Sequence, residues 1–452
     1  MIRNSTAQSR GSGSLVRWAL IGLGLILLVS FGVSQAVDAV ETLGRNLPQA
    51  RIDRDYDIGL VVAIVIGLSI LGWPVPARDK PHLLTLWAAK CVVTLGIMLI
   101  YEWRYNDLDS YFYFQLSHSE IPPTGMGFGN GTENMRAITW GLATVIPDSY
   151  HGLKVCFSLA GFIGLYLIYR GAVRFVERED PRIFYFIALF PSCIFWSSIL
   201  GKDPIQLLGV GLYVYGVIAS IRRIQPYGAV ATALGLLLSM WIRLWTGAIL
   251  VIPLLVFPIL AARGVFRRLA LATLIGALLV FAGGRVADRF QIDTAEDAVN
   301  AVEQFAQTGA QGASAVRPAE INNATDLLAY TPRAMFTALF RPVPGELRNY
   351  FGTFAGIENG ILLALVTIAL LRLRRGAWRE PLVVWAMILI LTWSFVYGLS
   401  VYNLGSLVRF KLQVLPIFLL ALLYVGDFGG VAGRQPHHES LDERLESEPD
   451  MA

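Results

Sequence analysis

Residues 245–262 read WTGAILVIPLLVFPILAA, a run of 18 residues without a charge. A helix of about 20 apolar residues crosses the roughly 30 Å hydrocarbon layer of a bilayer, so this run predicts a membrane span. Similar runs recur along the chain. We predict about twelve spans, at 18–37, 57–76, 82–101, 150–170, 182–200, 204–221, 227–242, 245–262, 268–285, 357–373, 381–400 and 410–427. The predicted fold is therefore all-α, a polytopic membrane protein with one transmembrane domain over 1–427.

The composition agrees with this assignment. Of the 452 residues, 55% are hydrophobic and 15% are charged, and the mean hydropathy is +0.56. Soluble domains carry about a quarter charged residues, which excludes an ordinary soluble enzyme. The net charge of +4 is too small in a chain of this length to predict nucleic-acid binding. The cysteines Cys91, Cys156 and Cys193 lie inside apolar runs and form neither a disulfide framework nor a metal-binding spacing.

Basic residues predict the orientation, because short loops rich in lysine and arginine stay on the cytoplasmic side. If the N-terminus lies inside, the loops at 78–80, 170–182 and 372–379 all carry their arginines on that same side. An even number of spans then places both termini in the cytoplasm. Arginine outnumbers lysine 32 to 5, which is typical of a GC-rich bacterial genome. The predicted location is the bacterial cytoplasmic (inner) membrane.

This orientation places the long connecting segments on the outer side: 38–56, 102–149 and 286–356. Within the last of these, 294–306 has the pattern of an amphipathic helix that Thr294 caps, and a small-residue stretch after it predicts a mobile loop. Segment 135–146 is apolar but too short to span, and it is predicted to lie along the outer interface. The polar tail 428–452 is predicted to be disordered.

Charged residues beside the outer ends of the spans are the candidate functional residues, since a charge there is costly without a use. Asp107 and Asp109 open the segment YNDLDSYFYF. The others come from distant parts of the chain and map to the same face: Lys202, Asp203, Arg243, Arg341, Glu346, Glu358, Arg409 and Lys411. Carboxylates beside several cations are typical of a site for an anionic substrate and a proton acceptor. The structural alternative is that charges simply collect at helix ends.

Two other signals are less specific. Lys90 lies within a predicted span, where it can extend to the interface, pair with a carboxylate or line a cavity; a structural role is favoured. Aromatic residues gather near the outer loops, which is typical of an interfacial belt, although sugar rings also stack on such faces.

The segment from Asp107 to Tyr113, DLDSYFY, resembles the acidic signature in an outer loop of the GT-C superfamily of membrane glycosyltransferases. In that superfamily the signature usually follows the first span, whereas here it follows the third. Further short motifs resemble members encoded with bacterial polysaccharide genes: Phe190-Pro-Ser, Trp196-Ser-Ser, Lys202-Asp203, Arg341-Pro with Glu346, and Asn403-Leu-Gly-Ser with Arg409 and Pro416.

The resemblance implies an enzyme of cell-envelope polysaccharide assembly. It would transfer a sugar from a polyprenyl-phosphate carrier to a glycan, lipid or protein acceptor at the outer face of the membrane. Asp107 would be the general base, with Asp109 beside it, and the two would hold a divalent metal ion if one is used. The residues that would bind the donor phosphate are Lys202, Arg243, Arg341, Arg409 and Lys411. The supporting residues would be Asp203, Tyr111, Glu346 and Glu358.

Three other functions stay open. An O-antigen-type polymerase or ligase acts on a lipid-pyrophosphate-linked glycan, also has about twelve spans and relies on outer arginines; segment 286–356 would suit it. A transporter or flippase needs charges along a path through the membrane, whereas the charges here, apart from Lys90, stop at the outer face. A non-catalytic scaffold would not need the paired carboxylates.

Overall fold

The computed structural model describes residues 37–49, 51–222, 226–261, 324–373 and 376–428, with isolated residues and short pieces between these ranges. Four predicted features lie almost entirely outside the described residues: the spans at 18–37 and 268–285, the amphipathic helix at 294–306 and the tail at 428–452.

The described chain is helical, and no β-strand occurs in these ranges. It also contains a π-helical segment, Val93–Ile97, and a 3₁₀ turn, Lys411–Gln413. The helices are α1 (Ile52–Ser69), α2 (Lys80–Val92), α3 (Met98–Arg104), α4 (Asp109–Ser117), α5 (Gly131–Ala143), α6 (Tyr150–Val176), α7 (Pro181–Ala188), α8 (Pro191–Trp196), α9 (Lys202–Arg222), α10 (Pro226–Ile242), α11 (Leu244–Ala261), α12 (Ala324–Phe340), α13 (Tyr350–Leu371), α14 (Pro381–Ser400), α15 (Leu404–Phe410) and α16 (Leu415–Val425).

Six helices or continuous helix pairs in the described residues are long and apolar enough to cross a membrane. They are Ile52–Gly72, Ala77–Arg104, Tyr150–Val176, Lys202–Ile221, Tyr350–Leu371 and Pro381–Ser400. A seventh is obtained if Leu404–Gln413 and Leu415–Val425, which meet at 66°, form one bent span. The predicted number of about twelve is therefore not confirmed, and the shorter apolar helices α10 and α11 fall outside this count.

The predicted span at 182–200 is two short helices, α7 and α8, instead of one long one. Proline has no N–H to donate and disfavours helical backbone in the residue before it. Pro191 accordingly begins α8, and the preceding Phe190 has extended backbone, with ψ of 130°. The physical reason for the difference is thus a single proline in an otherwise apolar run.

Burial separates central helices from peripheral ones. In the apolar window of each span, 72% of α6, 67% of α9 and 61% of α14 is buried, against 22% for α1 and 28% for α13. The exposed side of α1 carries Val61, Ile64, Val65 and Leu68, spaced as neighbours on one helical face. Such an apolar outer surface fits contact with lipid tails.

Glycine allows α6 and α9 to approach closely. A Cβ atom on Gly164 would lie 2.5 Å from the carbonyl oxygen of Leu207, and one on Gly211 would lie 2.4 Å from the carbonyl oxygen of Gly164. Both distances are shorter than real Cβ contacts, so only glycine fits without a shift. This contact fixes the position of α9, whose first turn carries Lys202 and Asp203.

Candidate functional site

Asp203 lies at the centre of a cluster of charged side chains drawn from four parts of the chain. Its Oδ1 accepts a hydrogen bond from Arg243 Nη1 at 2.9 Å, and its Oδ2 accepts one from Arg409 Nε. Only 3% of Asp203 is exposed. A buried carboxylate needs such charged partners, and here each oxygen has its own arginine. We call Asp109, Lys202, Asp203, Arg243 and Arg409 the Asp203 cluster.

Local structure explains how these side chains meet. Gly201 precedes α9, and a Cβ there would lie 3.4 Å from Arg409 Nη2, so the guanidinium packs directly against this position. Arg243 stands in the break between α10 and α11. Asn403 caps α15, which carries Arg409, by accepting a hydrogen bond from the backbone N–H of Ser406 at 3.1 Å.

The two acidic residues of the DLD motif are placed differently. The carboxylate of Asp109 lies 3.7 Å from Arg409 Nη1, and 68% of its side chain is exposed. Asp107 is exposed as well, but it forms no ion pair or hydrogen bond with another described residue. Asp109, and not Asp107, is therefore the carboxylate that joins the cluster.

Lys202 completes the cluster on its exposed side. Its Nζ lies 3.2 Å from the hydroxyl of Thr132, at the start of α5. The cluster then holds three cations and two carboxylates, an excess of one positive charge. Nearby Tyr113 is held protonated, because burial, together with the Asp109 carboxylate, raises its pKa to about 12. The site is suited to an anion of low charge.

Aromatic rings adjoin the cluster. The guanidinium of Arg409 lies 6.0 Å from the centre of the Trp196 ring. Tyr101 packs against Phe195, Trp196 and Phe351, with ring centres 5.2–5.6 Å apart. These rings are only partly buried. They form a surface for apolar or ring-shaped groups directly beside the cations.

Lys411 and Glu358 belong to a separate, buried group. The ammonium of Lys411 donates to Asn359 Oδ1 and to the carbonyl oxygen of Leu339, the latter at 3.3 Å. Glu358 Oε2 accepts a hydrogen bond from the backbone N–H of Ser192 at 2.6 Å. Both side chains are therefore engaged inside the protein, which corrects the expectation that they lie beside the other cations at the outer face.

Arg341 and Glu346 pair with each other within one turn. Arg341 Nε donates to Glu346 Oε1 at 2.8 Å, and the backbone N–H of Val343 donates to Oε2 at 2.9 Å. Burial opposes ionisation of Glu346, but these hydrogen bonds and the charge of Arg341 outweigh it and lower the pKa of the carboxyl. No hydrogen bond or ion pair links this turn to the Asp203 cluster within the described chain.

A buried ion pair between α3 and α6 was not among the predicted residues. Lys154 Nζ donates to both carboxylate oxygens of Glu102, at 2.8 and 3.0 Å, and Tyr150 donates its hydroxyl to Oε1 at 2.7 Å. Tyr111 donates to the backbone oxygen of Glu102 at 3.0 Å. The predicted supporting residue Tyr111 thus joins α4 to α3, the two helices that flank the loop containing Asp107. The signal in the sequence was a lysine inside a predicted span.

Lys90 neither extends to the interface nor pairs with a carboxylate. It is buried, and its ammonium donates to the hydroxyl of Ser197 and to the carbonyl oxygen of Ile194, the latter at 3.3 Å. These neutral acceptors join α2 to α8. The contacts fit the structural role favoured from the sequence.

No group of three or more histidine, cysteine, aspartate or glutamate side chains within the described ranges is placed to hold a metal ion. Comparisons with protein-family models, with curated proteins and with solved structures give no match to this chain.

Proposed function

We propose that this protein is a membrane glycosyltransferase that takes a sugar from a polyprenyl-phosphate carrier and transfers it to an acceptor at the outer face of a bacterial cytoplasmic membrane. The observation that carries the proposal is the Asp203 cluster, in which two arginines and a lysine converge at one end of a membrane-spanning bundle beside an exposed carboxylate. Such a site suits a phosphate that arrives on a lipid.

The cations are placed to receive the phosphate. Arginine binds phosphate through its planar set of donors, and lysine adds a mobile point charge. Arg409 and Lys202 are the partly exposed cations, while Asp203 holds Arg409 and Arg243 in position. The partly buried aromatic rings around Tyr101 lie next to Arg409 and suit the first isoprene units of the lipid.

The proposed reaction breaks one bond and forms another. The acceptor hydroxyl oxygen attacks the anomeric carbon of the sugar, and the bond from that carbon to the phosphate oxygen breaks. The hydroxyl proton passes to Asp109, and the polyprenyl phosphate leaves with the bonding electron pair. The negative charge of the phosphate increases in this step, so Arg409 and Lys202 stabilise the leaving group more strongly than the bound donor.

The charge balance favours a monophosphate donor over a pyrophosphate donor. A sugar joined to a lipid through one phosphate carries one negative charge, which matches the single excess positive charge of the cluster. A pyrophosphate-linked glycan, the substrate of the polymerase or ligase alternative, carries more. A transporter needs charged groups along a substrate path through the membrane. The buried charges Lys154 and Glu102 do not suit such a path, because they are bound to each other.

A ligand-binding titration tests the proposal. The full chain in nanodiscs is titrated with farnesyl monophosphate, farnesyl pyrophosphate and farnesol. We expect the monophosphate to bind best, farnesol to bind at least about tenfold more weakly, and Lys202→Ala to remove most of that difference, because a charged hydrogen bond contributes about 1.5–3 kcal/mol.

Arg341→Ala is the matched control, since Arg341 is a partly exposed arginine that is paired away from the cluster. It should leave monophosphate binding unchanged. Preference for the pyrophosphate, with binding lost in Arg341→Ala but not in Lys202→Ala, would instead support the polymerase or ligase. Equal binding of all three compounds would exclude a phosphate site at the cluster.

A further inference from the structure

Each element that brings an arginine or aspartate to the centre of the cluster also carries an uncharged polar residue about one helical turn further along. Gln206 follows Asp203, Thr246 follows Arg243 and Gln413 follows Arg409. One turn of helix rises about 5.4 Å. We call Gln206, Thr246 and Gln413 the polar layer.

The contacts of its neighbours Asp203 and Tyr213 indicate that Gln206, a residue of α9, faces α11. On α9, residues three, four and seven apart share a face, so Gln206 lies between Asp203 and Tyr213. Asp203 bonds to Arg243, just before α11, and Tyr213 donates its hydroxyl to the carbonyl oxygen of Leu250 on α11 at 2.7 Å. Gln206 therefore stands at the level of α11 that carries Thr246.

Direct hydrogen bonds link the other two members. The hydroxyl of Thr246 donates to Gln413 Oε1 at 3.3 Å, and Trp393 Nε1 donates to the same oxygen at 3.1 Å. The 3₁₀ turn that carries Gln413 also packs on α9. The polar layer thus lies at the junction of α9, α11 and the turn after α15, directly beneath the Asp203 cluster.

The amides of this layer are not satisfied by the rest of the protein. Both side-chain polar atoms of Gln206 and the Nε2 of Gln413 have no hydrogen-bond partner among the described residues, although the two side chains are 0% and 3% exposed. A buried amide without partners destabilises a fold, and leucine would fit an apolar site at lower cost. Unsatisfied groups of this kind call for a functional explanation.

We propose that Gln206, Thr246 and Gln413 bind the hydroxyl groups of the sugar that the donor carries, and that this sugar is uncharged. The inference rests on the proposed function, because the sugar is attached directly to the phosphate and so must lie next to the cations. Amides and hydroxyls both donate and accept hydrogen bonds, as sugar hydroxyls do. None of the three residues offers a charge to pair with a uronic acid or an amino sugar.

The sugar would enter the polar layer when the ion bridge between Asp203, Arg243 and Arg409 opens. In this conformation Asp203 ties Arg409 to Arg243, and the layer one helical turn away is buried. The donor phosphate would compete with Asp203 for Arg409, so binding of the phosphate would loosen the bridge next to the amides. Phosphate and sugar would then be bound together.

The test compares bare farnesyl phosphate with farnesyl phosphate that carries glucose, mannose or arabinose. In wild-type protein at least one sugar conjugate should bind more tightly than the bare phosphate. Gln206→Leu and Gln413→Leu should each reduce that advantage about tenfold, the effect of about one lost hydrogen bond. The affinity of both variants for bare farnesyl phosphate should not fall. The melting temperature should not fall in Gln206→Leu, whereas Gln413→Leu should lower it, because the Trp393 N–H and the Thr246 hydroxyl lose their shared acceptor. Gln115→Leu, at an exposed glutamine of α4, is the control.

Three results would overturn the inference. Unchanged binding of the sugar conjugates in both variants would remove the layer from the site, while the phosphate site would stand. A lower melting temperature with equal loss for all ligands would indicate a structural role. A glucuronic acid conjugate bound as tightly as the best neutral one would exclude the uncharged-sugar assignment. If wild-type protein bound neither bare nor conjugated phosphate, the proposed function itself would fail.

Discussion

Asp107 and Asp109 stand two residues apart in one motif, yet only Asp109 reaches a cation of the cluster, 3.7 Å from Arg409. A general base must lie within reach of the acceptor proton and near the leaving group. We predict that Asp109→Asn lowers the rate of sugar transfer by on the order of 10² to 10⁴, the usual effect of removing a positioned base. Asp107→Asn should change it less than about tenfold.

Transfer in membranes or complementation of a deletion strain measures both variants. Asp107 is the matched control because it is an exposed aspartate in the same loop. The opposite result, with Asp107→Asn inactive and Asp109→Asn active, would restore the assignment made from the sequence motif. Equal loss in both would point to a shared metal ion.

The Arg341–Glu346 pair predicts a small pH effect. The folded protein lowers the pKa of Glu346 below its ordinary value of 4.5, so the pair stabilises the folded state fully above that value. The contribution disappears as the pH falls through the lower pKa of the folded state. Glu346→Gln should therefore reduce stability slightly at pH 7, by less than about 1 kcal/mol, because the pair lies near the surface.

Melting temperatures of wild type and Glu346→Gln between pH 7 and pH 3 provide the measurement. The difference between the two proteins should shrink as the pH falls below 4.5. A difference that grows on acidification would show that the carboxyl is not held in its ionised form.

Residues that are close in sequence do not always share a site. Arg409 and Lys411 both follow NLGSLV in the sequence, but residues two apart point to different sides of a helical turn. Arg409 accordingly meets Asp203, whereas Lys411 meets Asn359 in the interior. The sequence identified which residues are costly in a membrane, but only the packing of α9, α11 and α15 determines which of them meet.

At the scale of helices, the close approach of α6 and α9 requires a glycine at position 164. A methyl group there would lie 2.5 Å from the oxygen of Leu207, so one helix must move. Overpacking of this kind costs about 1–3 kcal/mol. We predict that Gly164→Ala lowers the melting temperature and also weakens farnesyl phosphate binding, because α9 carries Lys202 and Asp203.

Gly141→Ala is the control. Gly141 lies in α5, and its added Cβ would meet nothing within 4 Å. Alanine favours a helix over glycine by about 1 kcal/mol, so this variant should be as stable as wild type or more stable. Equal melting temperatures for Gly164→Ala and wild type would show that α6 and α9 are not packed as described.

Helices were predicted well where apolar runs are uninterrupted, as in α6, α9 and α14, which lie close to the predicted bounds. They were predicted poorly where a proline begins a new helix, although α11 keeps two prolines inside one helix. Pro191 splits 182–200, and Pro416 stands at the start of α16, where the chain turns by 66°. A hydropathy window averages over such residues and cannot register the break.

For the whole molecule, the predicted orientation can be tested at two positions on either side of one helix. Met126 and Arg178 are separated by one span, α6, whose 27 residues are about 40 Å long. We therefore predict that they face opposite sides of the membrane. We predict that a cysteine at Met126 reacts with an impermeant reagent in intact cells, and that a cysteine at Arg178 reacts only after permeabilisation.

The background for this experiment lacks Cys91, Cys156 and Cys193, which are free thiols in the protein. Labelling of the Met126 position only after permeabilisation would place the Asp203 cluster on the cytoplasmic side. Nucleotide sugars would then be accessible as donors, and the need for a lipid-linked donor would disappear.

The apolar character of the chain followed from composition and its helical character from the length of the apolar runs, but the number of spans did not. The structure has six candidate spans, or seven with the bent pair, in the residues it describes. Hydropathy detects apolar segments, whereas burial decides whether a segment is a span, a short packed helix or part of a bend. The buried Glu102–Lys154 pair was missed for the same reason, since its partners come from helices 52 residues apart in sequence.

The most direct test of the central claim is the position of the phosphate in a cryo-electron microscopy map of the full chain in nanodiscs that contain a polyprenyl monophosphate. We predict phosphate density within hydrogen-bonding distance, about 3 Å, of Arg409 and Lys202, with the lipid chain passing the rings of Tyr101 and Phe351. Phosphate density bound to Arg341, or a map in which the lipid is ordered but no phosphate contacts the Asp203 cluster, would contradict the account.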